Sequence, residues 1–285
     1  MPQTHKVEQI PDLQNMKSLF TLEGKVALVT GASGGIGRST AAGFAELGAK
    51  VMLMDLPRQE ENLKQYCQEI RERYGSEADY VLGDVSDEAS VNAFVAKTIE
   101  RFGSIDVLHN NAGISMGGTT KIETMPLEKW QREIDINLTG MFIVGRAVAN
   151  VMKAQGRGGS IINTASMSGR IVNTEAAYCS SKAAIIHLTA CMAIEYIKDN
   201  IRVNSISFGG MLSGLHETFC KTPETLAARY ATLDKNTPIG RLGTLSETVG
   251  PVLFLATDLS SYMTGADLLV DGAYAVERNT KNIAD

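Results

Sequence analysis

The feature that most constrains the fold is a glycine-rich turn set between two short apolar runs. Lys25-Val-Ala-Leu-Val-Thr30 has the length of a strand and stops at Gly31-Ala-Ser-Gly-Gly-Ile-Gly37. A helical pattern follows from Arg38 to Leu47 and ends at Gly48, and Lys50-Val-Met-Leu-Met-Asp55 reads as a second strand. Strand, glycine turn, helix and strand within about thirty residues make a βαβ unit, whose two strands must run parallel. The alternation then continues. Helices are predicted over 59–74, Glu88–Phe102, Leu127–Gln155 with Asn137 inside it, a segment starting near Tyr178, and Leu245–Ala256. Between them fall strands at Asp79–Leu82, Asp106–His109, Ser160–Asn163, 202–206 and Asp267–Val270, with a polar excursion over 208–236. No linker, repeat or low-complexity stretch interrupts the pattern. It predicts one α/β domain, 21–285, with a parallel sheet covered on both faces, preceded by an irregular arm, 1–20.

The glycine turn also carries chemistry. Between a strand and a helix, Gly31, Gly35 and Gly37 let the backbone approach a pyrophosphate, and the helix N-terminus stabilises its charge. A glycine turn alone is often only a turn. Asp55, at the end of the second strand, sharpens the reading, because a carboxylate there suits the hydroxyls of an adenosine ribose and repels a 2′-phosphate. NAD is therefore expected over NADP, with a turn or capping role as the alternative for Asp55.

A second constellation lies in Tyr178-Cys-Ser-Ser-Lys182. Tyr and Lys at this spacing share one face of a helix. A free phenol titrates near ~10 and a useful base near ~7, a gap of ~4 kcal/mol. A cation roughly 5 Å away at an effective dielectric of ~20 supplies on the order of 3 kcal/mol, so Lys182 is expected to lower Tyr178, with a second positive charge completing the shift. Taken alone, the pair reads equally as a surface tyrosine and a snorkelling lysine. The run Ala183 to Ile194 is apolar on most sides and predicts a buried helix, against a sheet or another subunit.

Thr30-Gly-x-x-x-Gly-x-Gly37, Asn110-Asn-Ala-Gly113, Asn137, Ser166 and Tyr178-x-x-x-Lys182 occur in that order. In this the chain resembles the short-chain dehydrogenase/reductase family over about residues 22–274. Asn163 to Asn173 is similar to the polyol and sugar dehydrogenases and carbonyl reductases within it. The resemblance implies a single-domain, Rossmann-type doubly wound sheet and an NAD-linked enzyme exchanging hydride with a secondary alcohol or ketone. It implies Tyr178 as acid/base, Lys182 lowering its pKa and holding the nicotinamide ribose, and Ser166 hydrogen-bonding the substrate oxygen. Asn137 would keep a water and a backbone carbonyl in place for a proton relay. Gly31, Ser33, Gly35, Ile36, Gly37, Asp55, Met211 and Ser213 would line the cofactor. Asp84 and Val85 would meet the adenine, and Asn111, Ala112 and Gly113, following Asn110, would pass beside the adenosine ribose. The family is commonly dimeric or tetrameric, so a homo-oligomer is implied. Two departures stand out. Ser166 and Tyr178 are twelve positions apart, one fewer than usual, and Phe208-Gly209-Gly210 replaces the usual Pro-Gly, which predicts a less fixed loop.

Several residues carry plainer alternatives. Ser168 and Thr164 rival Ser166; Asn137 could be structural; His109 reads as a core histidine and Cys179 as packing. Met116, Met167, Met211 and Leu212 are pocket-wall candidates or gap-fillers. The net charge of −5 argues against nucleic acid or an anionic membrane as partner. No apolar run approaches the ~18 residues of a membrane span, and Met1 to Ser18 has no apolar signal core. Cys67, Cys179, Cys191 and Cys220 form no metal-ligand spacing, which with the scattered histidines predicts reduced thiols, a cytoplasmic setting and no catalytic metal. The competing functions are a dehydrogenase of a lipophilic cyclic alcohol such as a steroid, an acyl-thioester ketoreductase, and a non-catalytic dinucleotide-binding or redox-sensing protein.

Overall fold

The computed structural model describes residues 16–117, 121–218, 220 and 222–276. The expected arm falls mostly outside these residues; its end forms a short helix, α1 (Met16–Leu19). Seven strands form one parallel sheet: β1 (Val26–Thr30), β2 (Lys50–Asp55), β3 (Ala78–Leu82), β4 (Val107–Asn110), β5 (Gly159–Thr164), β6 (Ile201–Phe208) and β7 (Asp267–Val270). Their spatial order is β3-β2-β1-β4-β5-β6-β7. The order reverses between β1 and β4, and a crevice opens there at the carboxyl ends of the strands.

The strands sort their side chains by alternation. Ala27 and Val29 of β1 point to one face, where they pack with Phe44 of α2 (Gly35–Glu46), Leu63 of α3 (Glu60–Tyr74) and Val252 of α9 (Leu245–Ala256). Leu28 points to the other face, with Phe94 of α4 (Glu88–Phe102), Val144 of α6 (Met141–Gln155) and Met192 of α7 (Ala176–Tyr196). The buried face of α2 shows why it is a helix: Gly37, Thr40, Ala41, Phe44 and Ala45 recur at helical spacing. Gly43 lets α9 close on α2, since a Cβ there would lie 2.5 Å from Val249 Cγ1.

Three expectations are corrected by the tertiary structure. The first helix begins at Gly35, inside the glycine turn, rather than at Arg38. The expected helix 127–155 is α5 (Leu127–Ile134) and α6 joined by one π-helical stretch, Asp135–Gly140. The excursion 208–236 contains a 3-10 turn, His216–Thr218, and a capped helix, α8 (Pro223–Asn236). Counted as helices rather than as unbroken apolar runs, Leu127–Gln155 and Ala176–Asp199 do have the length and hydropathy of a membrane span. Each nonetheless buries a polar residue within the fold, Asn137 and Lys182 respectively.

Candidate active site

The glycine turn follows β1 into the crevice. Gly31 has a left-handed φ of 67°, and a Cβ on Gly37 would lie 2.2 Å from the Gly31 carbonyl oxygen. No other residue fits at Gly37, so the first turn of α2 sits directly on the loop. Asp55 ties the loop from the side. Its Oδ2 accepts from the Ser33 N–H at 3.0 Å and from the Ser33 hydroxyl at 2.7 Å, and Oδ1 accepts from the Leu56 N–H at 2.8 Å. Asp55 thus holds the turn as well as facing the cavity. Arg38 is turned away, paired with Glu69 and lying over the Tyr66 ring.

At the adjoining strand ends, Asp84 Oδ1 accepts from the Ser86 N–H and hydroxyl at 2.9 and 2.6 Å. Burial would raise the Asp84 carboxyl, but these bonds hold it below the usual carboxylate range. Asn111 crosses from β4 to β1, donating through Nδ2 to the Thr30 carbonyl at 3.0 Å while the Thr30 hydroxyl accepts from the Asn111 and Ala112 N–H groups. Asn110 ties β4 to the helical layer through the Met141 carbonyl at 2.8 Å.

Asn137 lies in the π-helical stretch and is fully buried. The bulge aims its amide chiefly at Ile114, where Oδ1 accepts the N–H and Nδ2 donates to the carbonyl, both at 2.8 Å; Nδ2 also donates to the Ser181 hydroxyl at 3.3 Å. The next residues are latched by carboxylates that the sequence reading passed over. Glu133, pushed up by burial, accepts the Met116 N–H at 2.7 Å, and Glu175 accepts the Ser115 hydroxyl at 3.1 Å.

Ser166 ends the turn after β5, its Oγ accepting the Ser168 N–H at 3.2 Å, and its hydroxyl is the neighbour that favours the Tyr178 phenolate. The shortened spacing therefore still leaves both side chains on the same cavity. The 3-10 turn Met167–Gly169 absorbs the difference by packing on α7, where a Cβ at Gly169 would lie 2.7 Å from the Lys182 backbone. Lys182 is 3 % exposed; its Nζ donates to the Thr164 carbonyl at 2.8 Å and lies 5.6 Å from the Tyr178 ring centre. The expected lowering of Tyr178 by Lys182 is not what this arrangement does by itself. Burial pushes the Tyr178 phenol up to about 12 and the Lys182 ammonium down to about 8. Desolvation penalises both charged forms, and Lys182 spends a hydrogen bond on Thr164 rather than on the phenol.

The segment after β6 is better held than Phe208-Gly209-Gly210 suggested. Phe208 is buried and pairs with Val270, and Gly209 donates to the Val270 carbonyl at 2.9 Å. A Cβ on Gly209 would lie 2.6 Å from Asp271 Cα, and one on Gly210 2.5 Å from Leu242 Cδ2, so both glycines serve close approach. From there the chain folds over the glycine turn, and the Ser213 carbonyl would lie 2.6 Å from a Cβ on Gly35.

These elements enclose one cavity of about 690 Å³. Gly31, Ser33, Gly35, Ile36, Asp55, Asp84, Val85, Asn111, Ala112, Gly113, Ser166, Tyr178, Lys182, Met211 and Ser213 all line it. Gly37 and Asn137 stand behind the wall. Asn173, the end of the run 163–173, also lines it, as do His216, Arg229 and Glu175, to which no motif in the sequence pointed. His109 lies beneath the site, bonded to Thr40 at 2.9 Å and Thr164 at 3.0 Å, as a core histidine. Cys179 donates to Asn173 Oδ1 at 2.9 Å, away from the phenol of Tyr178. Among the described residues no three His, Cys, Asp or Glu side chains are grouped to hold a metal ion.

A parallel sheet with this strand order, a glycine turn too tight for any Cβ and an acidic residue closing the second strand define a dinucleotide-dependent oxidoreductase of Rossmann type. The comparisons with known proteins carry the assignment further. A family model described as enoyl-(acyl carrier protein) reductase matches residues 31–275. A sorbose reductase of Candida albicans is 35% identical over 276 residues, 96% of this chain and 94% of that protein. An L-rhamnose 1-dehydrogenase (NAD(P)+) of a Sphingomonas species is 38% identical, over 90% of this chain and 98% of that one. The structure of an NAD+-bound xylitol dehydrogenase superposes with a TM-score of 0.79 at 38% identity, covering 88% of this chain and 99% of that one. The chain belongs to the short-chain dehydrogenase/reductase family.

Proposed function

We propose that this oxidoreductase interconverts a secondary alcohol of a polyol or sugar and its ketone, using NAD. The observation that carries the reading is the convergence of Ser166, Tyr178 and the buried Lys182 on the cavity that the glycine turn and Asp55 also line. The names of the sorbose, rhamnose and xylitol enzymes support the substrate class. The residues present fit a dinucleotide. The cradle at Gly31, Gly35 and Gly37 leaves backbone alone against a pyrophosphate, Asp55 suits the ribose hydroxyls, and Asp84 and Val85 flank the adenine end. The oxidised dinucleotide, once bound, supplies the hydride acceptor and a positive charge beside Tyr178.

The protein's own part is orientation and proton transfer. Ser166 and Tyr178 together hold the reacting oxygen. With its phenol near 12, Tyr178 keeps its proton at neutral pH and is ready to donate it to a carbonyl oxygen in the reducing direction. In the oxidising direction it must first release that proton, and the charge on Lys182 favours the step. Asn137 fixes the Ile114 carbonyl, an acceptor able to hold a water for passing protons toward solvent. The test is nicotinamide absorbance with NAD and a panel of polyols, sugars and steroids, followed by Tyr178→Phe. The expected loss in kcat is about 10²-fold or more. A protein that binds the dinucleotide yet turns over nothing, or a Tyr178→Phe variant of undiminished rate, would defeat the reading.

A further inference from the structure

We propose that Glu175 and Arg229 form a hydroxyl-binding clamp that selects a neutral, polyhydroxylated substrate over a carboxylate-bearing or lipophilic one. This deepens the function proposed above and rests on it. Glu175 precedes α7 and lies one helical turn before Tyr178, on the same side of the cavity; Arg229 reaches the cavity from α8. Glu175 Oε2 already accepts the Ser115 hydroxyl, and Oε1 lies 3.9 Å from an Arg229 terminal nitrogen. That separation is too long for a hydrogen bond, so each group keeps bonding capacity for a third partner. The Arg229 Nε is buried and has no hydrogen-bond partner among the described residues.

The two groups are complementary in kind. A carboxylate only accepts and a guanidinium only donates. The small group that satisfies both is a hydroxyl, which donates to Glu175 and accepts from Arg229. Asn173 and Ser168, bonded to each other at 2.9 Å, add further polar lining on the same wall. A lipophilic substrate would leave the Arg229 Nε unpaired and strip water from Glu175 without replacement. A carboxylate-bearing substrate would meet Arg229 but face Glu175 across the same gap. The negative field there reaches the reacting group: after burial, Glu175 and Glu133 are charges that push the Tyr178 phenol up. Met211 and Leu215 leave apolar wall for the carbon chain.

The experiment is steady-state kinetics of the full chain with xylitol, xylonate and cyclohexanol, for the unmutated protein, Glu175→Gln and Arg229→Gln. Gln at 175 keeps an acceptor for Ser115, so the loop latch survives. Loss of a charged hydrogen bond predicts a rise in KM for xylitol of about 10- to 100-fold in each variant. KM for cyclohexanol should stay within about two-fold, and the preference for xylitol over xylonate should fall about ten-fold in Glu175→Gln. Because a negative charge leaves the site, the pH profile of kcat for Glu175→Gln should also move to lower pH. The clamp is overturned if the unmutated protein prefers xylonate, if xylitol KM is unmoved, or if cyclohexanol suffers equally, which would make Glu175 structural. The parent reading survives each of those results. It falls, and the clamp with it, if the unmutated protein oxidises none of the three.

Discussion

His109 offers a test of the structure beneath the active site. It is fully buried, bonded through both ring nitrogens to Thr40 and Thr164, and Thr164 in turn accepts Lys182. Burial drives its pKa down to about 3, against an ordinary value of 6.5. The folded protein therefore holds His109 neutral at pH values where the unfolded chain would protonate it. Stability from this group is fully present above pH ~6.5 and is lost progressively as pH falls toward ~3. With those two values, the linkage relation gives a loss of about 2 kcal/mol between pH 7 and pH 5. Gln at this position can bond both threonines but cannot charge. The expected outcome is that His109→Gln is less stable than the unmutated protein at pH 7, yet loses about 2 kcal/mol less between pH 7 and 5. Urea unfolding followed by the fluorescence of Trp130, at equal protomer concentration, measures both slopes. Other groups, His216 included, titrate in both proteins and cancel in the comparison. Parallel pH curves for the two proteins would refute the argument, because they would mean that His109 takes up its proton without unfolding.

Two further predictions concern the cofactor turn and the π-helical stretch. Asp55→Ala removes both the ribose partner and three bonds that hold Ser33 and Leu56, so KM for NAD should rise about ten-fold or more while NADP is tolerated better, as charged hydrogen bonds of this kind imply; equal use of NAD and NADP by the unmutated protein would sink the NAD assignment. Asn137→Ala orphans the Ile114 N–H and carbonyl and should cost on the order of 2–4 kcal/mol, with amide exchange accelerated over 114–117; an unchanged urea midpoint would contradict the latch.

Much of this was legible in the chain itself, and the particular elements say why. The helices 88–102 and 245–256 and the strand 267–270 stand where the sequence puts them. Their apolar spacing and end signals are local: Gly103 closes one helix in a left-handed conformation, and Thr244 with Glu247 caps another. The glycine turn was legible for the same reason, since backbone approach can be met only by glycine. The π-helical stretch was not, because one extra residue in a turn leaves no mark in helical periodicity and is stabilised here by the Asn137–Ile114 pairing, between residues far apart in sequence. The substrate wall was equally hidden: Glu175 and Arg229 are separated by helix α7, strand β6 and the loop after it, and single charged residues at helix starts and on helix faces look like ordinary solvated ones.

The pair Tyr178 and Lys182 marks the division most clearly. Their spacing on one helix face, and the ladder of strands that brings Gly31, Asp55, Asn111 and Ser166 to a single sheet edge, follow from periodicity and the parallel βαβ rule, both properties of the chain alone. Their electrostatics do not. Whether a phenol is lowered by a neighbouring ammonium or raised by losing water depends on how deeply the folded protein encloses both. Here the folded protein buries Lys182, half-buries Tyr178 and gives the Lys182 ammonium a backbone carbonyl, so desolvation outweighs attraction.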